Sequence, residues 1–213
     1  MKVRLKFSKH GIIRYVGHLD IMRYFQKCVR RSGLPIRYSE GFSPHQTMSF
    51  ASPLGTGIES DGEYADMEFT CDLSPEEIME KLNAVMHEGI KILSVSVLSD
   101  KPRSSMSLVE SADYEVICGD VSAAVAALMD KEEISYTAFS KKAGEYRTKN
   151  IRPMIYCLKY EEGRLFMHIA QGSSSNLKPQ AVLEVLGMEP AGTRIIRKEL
   201  YDAGHIPLSD ISD

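Results

Sequence analysis

The strongest constraint on the fold is the order in which the hydrophobic pattern of the chain changes its period. Residues 2–7 alternate basic and apolar side chains with a period of two, which predicts a strand whose Val3, Leu5 and Phe7 face the core. Residues 18–31 carry apolar side chains at helical spacing, which predicts a helix. Further patterns predict extended segments at 35–38, 47–50 and 63–69, a helix at 74–86 and a strand at 90–98. The first 98 residues therefore follow the order β-α-β-β-α-β.

The same order nearly repeats in the second half of the chain. Its patterns predict strands at 114–118 and 134–139, a helix at 120–129, a hairpin of 154–160 and 164–170, a helix at 178–186 and a strand at 193–200. This set contains one strand more than the first. We therefore predict an α+β fold of two tandem ferredoxin-like (βαββαβ) units, the second elaborated with an extra strand.

The polar stretches of the chain predict its division. A proline and several serines between the two sets of elements are typical of a linker, and the acidic C-terminus with its glycine and proline is typical of an unpacked end. The predicted parts are an N-terminal unit with a basic helix at 1–98, a linker at 99–112, a C-terminal unit at 113–201 and a loose acidic tail at 202–213.

Composition excludes several classes of protein. With 43% hydrophobic and 26% charged residues, the chain has the composition of a packed globular protein. We find no apolar segment long enough for a bilayer and no apolar export signal at the N-terminus, so we expect a cytoplasmic protein without a membrane partner. The cysteines and histidines lack the spacing of metal ligands, and nucleophile and dinucleotide motifs are absent. We therefore predict no catalytic residue, no metal and no cofactor.

Charge is distributed unevenly along the chain. The first 50 residues contain ten Lys or Arg and only two acidic residues, whereas the other 163 contain 16 basic and 27 acidic residues. Such an asymmetry favours an anionic partner at the N-terminal end, through attraction and steering.

The helix predicted at 18–31 is the main candidate for binding that partner. The side opposite its apolar stripe gathers the four basic residues Arg23, Lys27, Arg30 and Arg31. Together with the basic face of the first strand, this side could neutralise several phosphates of a nucleic acid. The alternative is that the strand cations only pair with acidic residues of a neighbouring strand, such as Asp66 and Glu68.

The loop after this helix displays an aromatic ring and an imidazole. Gly41 permits a tight bend, and Pro44 stiffens the chain beside His45. An exposed Phe42 could stack on a base while His45 contacts phosphate or acts as a general acid or base. Alternatively, Phe42 packs into the core and His45 is an ordinary surface residue.

Three further segments could contact anions. Residues 53–57 contain two glycines but lack the lysine of a phosphate-binding loop, which favours a simple connection. A loop that precedes a helix could hold a phosphate through Ser173, Ser174, Ser175 and Asn176, or it could be an ordinary capping loop. A second basic cluster is predicted to lie in a long loop between strands and consists of Lys141, Lys142, Arg147, Lys149 and Arg152.

Several motifs resemble those of a known family. The sequences GHLD at 17–20, YSEGFSPH at 38–45, PLG at 53–55 and GSSSN at 172–176 resemble the uncharacterised radical SAM-linked protein family. The resemblance implies that the protein works with a radical SAM enzyme, often in the company of an RNA-processing ribonuclease. Because the chain lacks the CxxxCxxC motif that holds the radical SAM iron–sulfur cluster, it would be the accessory partner. The tandem layout is also similar, in fold alone, to Cas6-type RNA endonucleases.

These observations lead to three functional hypotheses. The first is a non-catalytic accessory protein of a radical SAM enzyme that binds structured RNA, such as tRNA or rRNA, through the basic N-terminal surface. The second is a protein-interaction subunit that docks on the radical SAM enzyme without RNA. The third is a metal-independent Cas6-like ribonuclease that uses His45.

Overall fold

The computed structural model describes residues 1–140 and 143–211 and has a mixed α+β fold. Five α-helices occur in the described residues: α1 His18–Ser32, α2 Pro75–Asn83, α3 Ser105–Leu108, α4 Ser122–Met129 and α5 Pro179–Val185. The strands are β1 Lys2–Lys9, β2 Met48–Phe50, β3 Glu59–Glu68, β4 Ile90–Val97, β5 Ser111–Ile117, β6 Ser135–Ser140, β7 Glu145–Asn150, β8 Ile155–Glu161, β9 Arg164–Ala170 and β10 Arg194–Tyr201.

Eight strands form one mostly antiparallel sheet. Its order is β4-β1-β3-β10-β5-β9-β8, and β2 also pairs with β3. The long strand β3 has two neighbours on one edge, because β2 pairs with its end near Ala65 and β10 pairs in parallel with its start at Glu59 and Ser60. The two halves of the chain therefore share one continuous sheet.

α1 follows the predicted pattern. Its Ile21, Phe25, Cys28 and Val29 are buried, as the apolar spacing requires. Gly33 ends the helix in the left-handed conformation with φ 70°, which is accessible to glycine without steric cost. The prediction of this helix is confirmed, and Arg23, Lys27 and Arg30 are exposed on its other side.

β1 is buried on both faces, although only one buried face was expected. Its three apolar side chains are buried as predicted, but Arg4 on the opposite face is also only 1% exposed. The C-terminal segment lies over that face, where the carbonyl oxygens of Leu208 and Ile211 accept hydrogen bonds from Arg4 Nη1 at 3.3 and 3.4 Å. Leu208 is fully buried. Within the predicted loose tail at 202–213, Leu208 and Ile211 therefore pack on β1, residues 203–206 are exposed, and the last two residues lie outside the described ones.

The segment between the two predicted units also packs on this face. Ser104 caps α3 by accepting a hydrogen bond from the Ser107 N–H at 3.3 Å, and the Ser105 N–H donates to Asp66 Oδ2 at 2.7 Å. The polar residues between 99 and 112 thus form caps and contacts with β3.

The basic segment that was predicted to be a long loop is mostly a strand. β7 pairs antiparallel with β6 through the whole of both strands and forms a separate two-stranded sheet. The hydroxyls of Thr137 and Thr148 lie 2.7 Å apart across the pair. The prediction failed because all six β7 side chains are exposed, so the segment lacks the apolar alternation that marks a half-buried strand. Of the second basic cluster, Lys141 and Lys142 lie outside the described residues.

Apolar side chains form two buried clusters, one in each half of the sheet. The N-terminal cluster centres on three aromatic rings, with Phe25 4.7 Å from Phe7 and 5.3 Å from Phe50 between ring centroids. The C-terminal cluster contains Leu165 and Leu183, both without exposed surface. Among the described residues, no helix has the length and apolar character needed to cross a membrane.

Candidate nucleic-acid interface

The ten basic residues of the first 50 positions do not form one free cationic surface. Carboxylates pair with Arg4, Lys6, Arg14, Arg23 and Arg37, and backbone carbonyls accept hydrogen bonds from Lys2, Lys9 and Arg31. Of these ten cations, Lys27 and Arg30 have neither kind of partner within residues 1–140 and 143–211. The surface available to an anion is therefore the outer side of α1.

The cations of β1 are neutralised inside the fold. Arg4 Nε lies 2.8 Å from Asp66 Oδ1, and Lys6 Nζ lies 2.5 Å from Glu199 Oε2. The expectation that this strand presents a basic face is wrong, because segments from the middle and the end of the chain cover it. The alternative reading, in which strand cations pair with acids of neighbouring strands, is correct for Arg4.

The outer side of α1 remains basic and accessible. Arg23 pairs with Asp20 at 3.1 Å, but both side chains are well exposed, so this ion pair contributes little to stability. Arg23 can therefore leave Asp20 and pair with a phosphate instead. Lys27 and Arg30 are exposed as well. The basic ridge of α1, which we define as Arg23, Lys27 and Arg30, is therefore free to contact phosphate.

Arg31, the fourth predicted member, has a different environment. Its Nη2 donates to the Val85 carbonyl oxygen at 2.8 Å and lies 3.2 Å from Cys28 Sγ. The guanidinium therefore holds α1 against the chain that follows α2. The helical pattern predicted its exposure correctly, but the hydrogen bond to a carbonyl 54 residues away leaves no signal in the local sequence.

The 38–46 loop follows α1 and has a closed base. Tyr38 and Gln46 pair at its base, and the Ser39 N–H donates to the His45 carbonyl oxygen at 2.8 Å. Ser39 Oγ accepts from the His45 N–H at 3.1 Å and lies 2.8 Å from His45 Nδ1. At the tip, Gly41 has φ 110° and Phe42 is fully exposed. The loop thus presents Phe42 and His45 to solvent, and the alternative of a buried Phe42 is wrong.

A hydrogen bond connects the base of this loop to α1. Gln46 Nε2 donates to the Gln26 carbonyl oxygen at 3.3 Å. Arg30 follows Gln26 by one helical turn, so it lies on the flank of α1 that faces the loop. The structure therefore brings Arg30, Phe42 and His45 onto neighbouring elements, although they are up to 15 residues apart in the chain.

A buried polar network lies under residues 51–58, where the two halves of the sheet meet. The ion pair of Arg197 and Glu63 is almost fully buried, and Arg197 Nη2 also donates to the Ser52 carbonyl oxygen at 2.9 Å. Gln171 Nε2 donates to Ser52 Oγ at 2.8 Å, and Gln171 Oε1 accepts from the Tyr114 hydroxyl at 2.9 Å. This network fixes the start of the loop that contains the two glycines at 53–57.

Two further ionisable groups lie near this network. Burial lowers the pKa of Lys9, and nearby Glu63 only partly offsets this effect. Burial also lowers the pKa of His18, again against the attraction of Glu63. Reasoning from the sequence missed both residues, although a lysine at the end of an apolar strand pattern is a usable signal of a buried cation.

The predicted phosphate loop in the second half lies at the rim of a large cleft. Asn176 lines a cavity of about 650 Å³, together with residues 53–56, the β6–β7 hairpin and the start of α5. Ser173 and Ser174 are exposed and Ser175 is half-buried, and none of these three serines lines the cavity. In the described part of the chain, no group of three or more His, Cys, Asp or Glu side chains is placed to hold a metal ion.

Comparison with known families places the chain. Residues 2–179 match the model of DUF2344, which is described as an uncharacterized protein conserved in bacteria. The chain belongs to this family. The DUF2344 match includes α1, the 38–46 loop and the segment around Asn176, and it ends before β10 begins. No curated protein matches the chain.

Proposed function

We propose that this DUF2344 protein is a non-catalytic accessory protein that binds structured RNA through α1 and the 38–46 loop. The observation that carries the proposal is that α1, which bears the basic ridge, is hydrogen-bonded to the base of a loop with an exposed aromatic residue at its tip. Lys27 and Arg30 lack acidic partners in the described chain, and Phe42 is fully exposed on the adjacent loop. Proteins that bind RNA loops and single strands contact the phosphates with basic side chains and stack aromatic rings on the bases.

The hydrogen bonds of the loop assign a role to His45. Ser39 Oγ accepts the His45 backbone N–H and lies within hydrogen-bond distance of His45 Nδ1, so it holds the ring in place. In the tautomer that carries the ring proton on Nε2, the Ser39 hydroxyl donates to Nδ1 and Nε2 can donate outward to a phosphate or a base. A cavity of about 370 Å³ beside His45, lined by Met48 and Leu98 and also by Asp66 and Glu68, offers room for an unstacked base. Arg4 and Arg37 pair with these two carboxylates.

A mobility-shift assay with total RNA tests the proposal. The double variant Lys27→Glu/Arg30→Glu reverses two charges on the ridge without touching a described hydrogen bond. The matched control Lys91→Glu/Lys101→Glu makes the same change in net charge at two other exposed lysines. We expect the ridge variant to lose most of its RNA binding and the control to keep it. Equal binding by wild type and ridge variant would contradict the proposal.

The partner is a separate part of the proposal. The motifs that resemble the radical SAM-linked family support a radical SAM enzyme as the partner protein, to which this chain would present the bound RNA. The competing hypothesis is that the ridge docks on an acidic surface of that enzyme. Co-purification of the two proteins after nuclease treatment, and its loss in the ridge variant, would favour docking without RNA.

The proposed fold of two ferredoxin-like units has its own support. The strand order β4-β1-β3-β2 in the first half is matched by β10-β5-β9-β8 in the second. In this interpretation the β6–β7 hairpin is an insertion in the second unit. The two parallel pairings between β3 and β10 then join the units edge to edge.

A further inference from the structure

The 650 Å³ cleft combines segments that are distant in the sequence. One wall is formed by residues 53–56, the second by Tyr136, Ala138 and Lys149 of the β6–β7 hairpin. The third wall consists of residues 176–181 and Glu184 around α5. Its volume lies within the range of about 300–1,000 Å³ that is usual for small-molecule sites.

The walls of the cleft are held in place by buried contacts. Ser52 anchors the first wall, because its carbonyl oxygen accepts from Arg197 and its hydroxyl accepts from Gln171. The loop that leads to the third wall starts at Gly172, where an added Cβ would lie 2.5 Å from the Val109 carbonyl oxygen. Only glycine allows this approach of two backbones. These contacts fix the first and third walls before a ligand binds, which lowers the cost of binding.

The charges that line the cleft favour an anion. Lys149 and Lys178 line it from two different walls, and both side chains are exposed. Neither ammonium group has an acidic partner among the described residues, and Lys149 Nζ contacts only the weak acceptor Met154 Sδ, at 3.8 Å. The one acidic residue of the lining, Glu184, already accepts a hydrogen bond from the Tyr136 hydroxyl at 2.9 Å.

The remaining lining matches the other parts of a nucleotide. Tyr136, Leu54 and Pro179 provide flat or apolar surface against which a base can pack. The side-chain amides of Asn176 and Gln180 provide donors and acceptors for the edge of a base or for ribose hydroxyls.

We infer that this cleft binds a phosphorylated nucleoside, with Lys149 and Lys178 on the phosphate and Tyr136 against the base. The ligand is either a free nucleotide or the phosphorylated end of an RNA chain, since both present the same groups. The site lies between residues 53–56 and the second half of the chain, and it uses none of the residues proposed to bind RNA on α1 and the 38–46 loop. It therefore extends the proposed function without depending on it.

Isothermal titration calorimetry with the full chain tests this inference. The free ligands are AMP, ATP, GTP and inorganic phosphate, and the RNA ligands are one oligonucleotide with a 5′-phosphate and the same oligonucleotide with a 5′-hydroxyl. Each is titrated into wild type, Lys149→Glu/Lys178→Glu and the control Lys101→Glu/Lys131→Glu, which changes two exposed lysines outside the cleft. Thermal unfolding shows whether each variant is folded. If the charge reversal unfolds the protein, Lys149→Gln/Lys178→Gln replaces it.

We expect wild type and the control to bind a nucleotide or the 5′-phosphorylated RNA with equal affinity. The affinity of the cleft variant should be lower by a factor of about ten or more. Preference for free nucleotides or for the phosphorylated RNA identifies the source of the ligand, and either result supports the site. The Lys27→Glu/Arg30→Glu variant should retain this binding, so failure of the α1 interface would not affect the result. Absence of binding by every ligand, or equal affinity of wild type and cleft variant, would overturn the inference.

Discussion

Arg197 on β10 and Glu63 on β3 form a buried two-point ion pair across the junction of the two halves. Nε lies 2.8 Å from Oε1, Nη2 lies 2.6 Å from a Glu63 carboxylate oxygen, and the two side chains are 1% and 8% exposed. Because β3 and β10 are joined by only two parallel pairings, this pair is a main connection between the halves. It also positions Ser52 at the edge of the cleft.

Removal of one partner of this pair should destabilise the protein strongly. Arg197→Met leaves the Glu63 carboxylate buried without its cation, and we expect a loss of about 3–5 kcal/mol in the free energy of unfolding. Urea unfolding measures it. The neighbouring pair of Lys198 and Asp61 is partly exposed, so Lys198→Met serves as a control with an expected loss of about 0–1 kcal/mol. Equal losses in the two variants would show that the buried pair has no special role.

RNA binding should depend on salt in proportion to the ridge cations. Each phosphate contact contributes about 0.7–0.9 to the slope of log affinity against log salt concentration. The Lys27→Glu/Arg30→Glu variant removes two such contacts, so its slope should be smaller by about 1.4–1.8. Binding measured at several salt concentrations, by mobility shift or fluorescence anisotropy, gives this slope. An unchanged slope would mean that the two side chains do not contact phosphate.

Phe42 should contribute to binding but not to stability. Its ring is fully exposed, so Phe42→Ala should leave the unfolding free energy unchanged, whereas loss of a base stack should weaken RNA binding by about 1–3 kcal/mol. Phe50, which is 7% exposed, is the matched comparison, and Phe50→Ala should cost about 3–5 kcal/mol of stability. Full RNA affinity in a folded Phe42→Ala protein would exclude stacking by this residue.

Acid should destabilise the protein through Glu59. Burial by itself would raise the pKa of this carboxyl, but hydrogen bonds from Arg194 and the Gly11 N–H outweigh it and lower the pKa below its ordinary value of 4.5. In acid the unfolded state then binds more protons than the folded state. The stabilisation by Glu59 is therefore complete above pH 4.5 and is lost as the pH falls through the pKa of Glu59 in the folded state.

The Glu59→Gln variant tests this effect. Its unfolding free energy should change less than that of wild type between about pH 5 and pH 3, as measured by urea unfolding at each pH. Glu133→Gln, at an exposed position, is the control and should follow wild type. A wild-type slope retained in Glu59→Gln would assign the acid sensitivity to other carboxyl groups.

Elements with a local signal were predictable from the sequence. α1 was predicted because its apolar spacing and Gly33 are local, and α2 because Ser74 accepts from the Glu77 N–H as its spacing suggested. β7 was missed because an exposed hairpin shows no apolar alternation. The predicted residues Phe42 and His45 are exposed for the same local reason, since a loop with a positive-φ glycine projects from its base.

The partners of charged residues were not predictable in the same way. Lys6 pairs with Glu199, which is 193 residues away, and Arg4 donates to carbonyl oxygens more than 200 residues away. Local pattern identified these cations but gave no information on what neutralises them. The cations of the α1 ridge kept the predicted exposure because their surroundings are set by the helix itself.

The parallel pairing of β3 with β10 has a consequence for how the chain is made. A ribosome completes β3 long before residues 194–201 emerge, so the start of β3 has open backbone groups during most of synthesis. A nascent chain of this kind is at risk of joining a strand from another molecule until its own last strand arrives. Arrest of translation shortly before β10 would prolong the exposure of this edge.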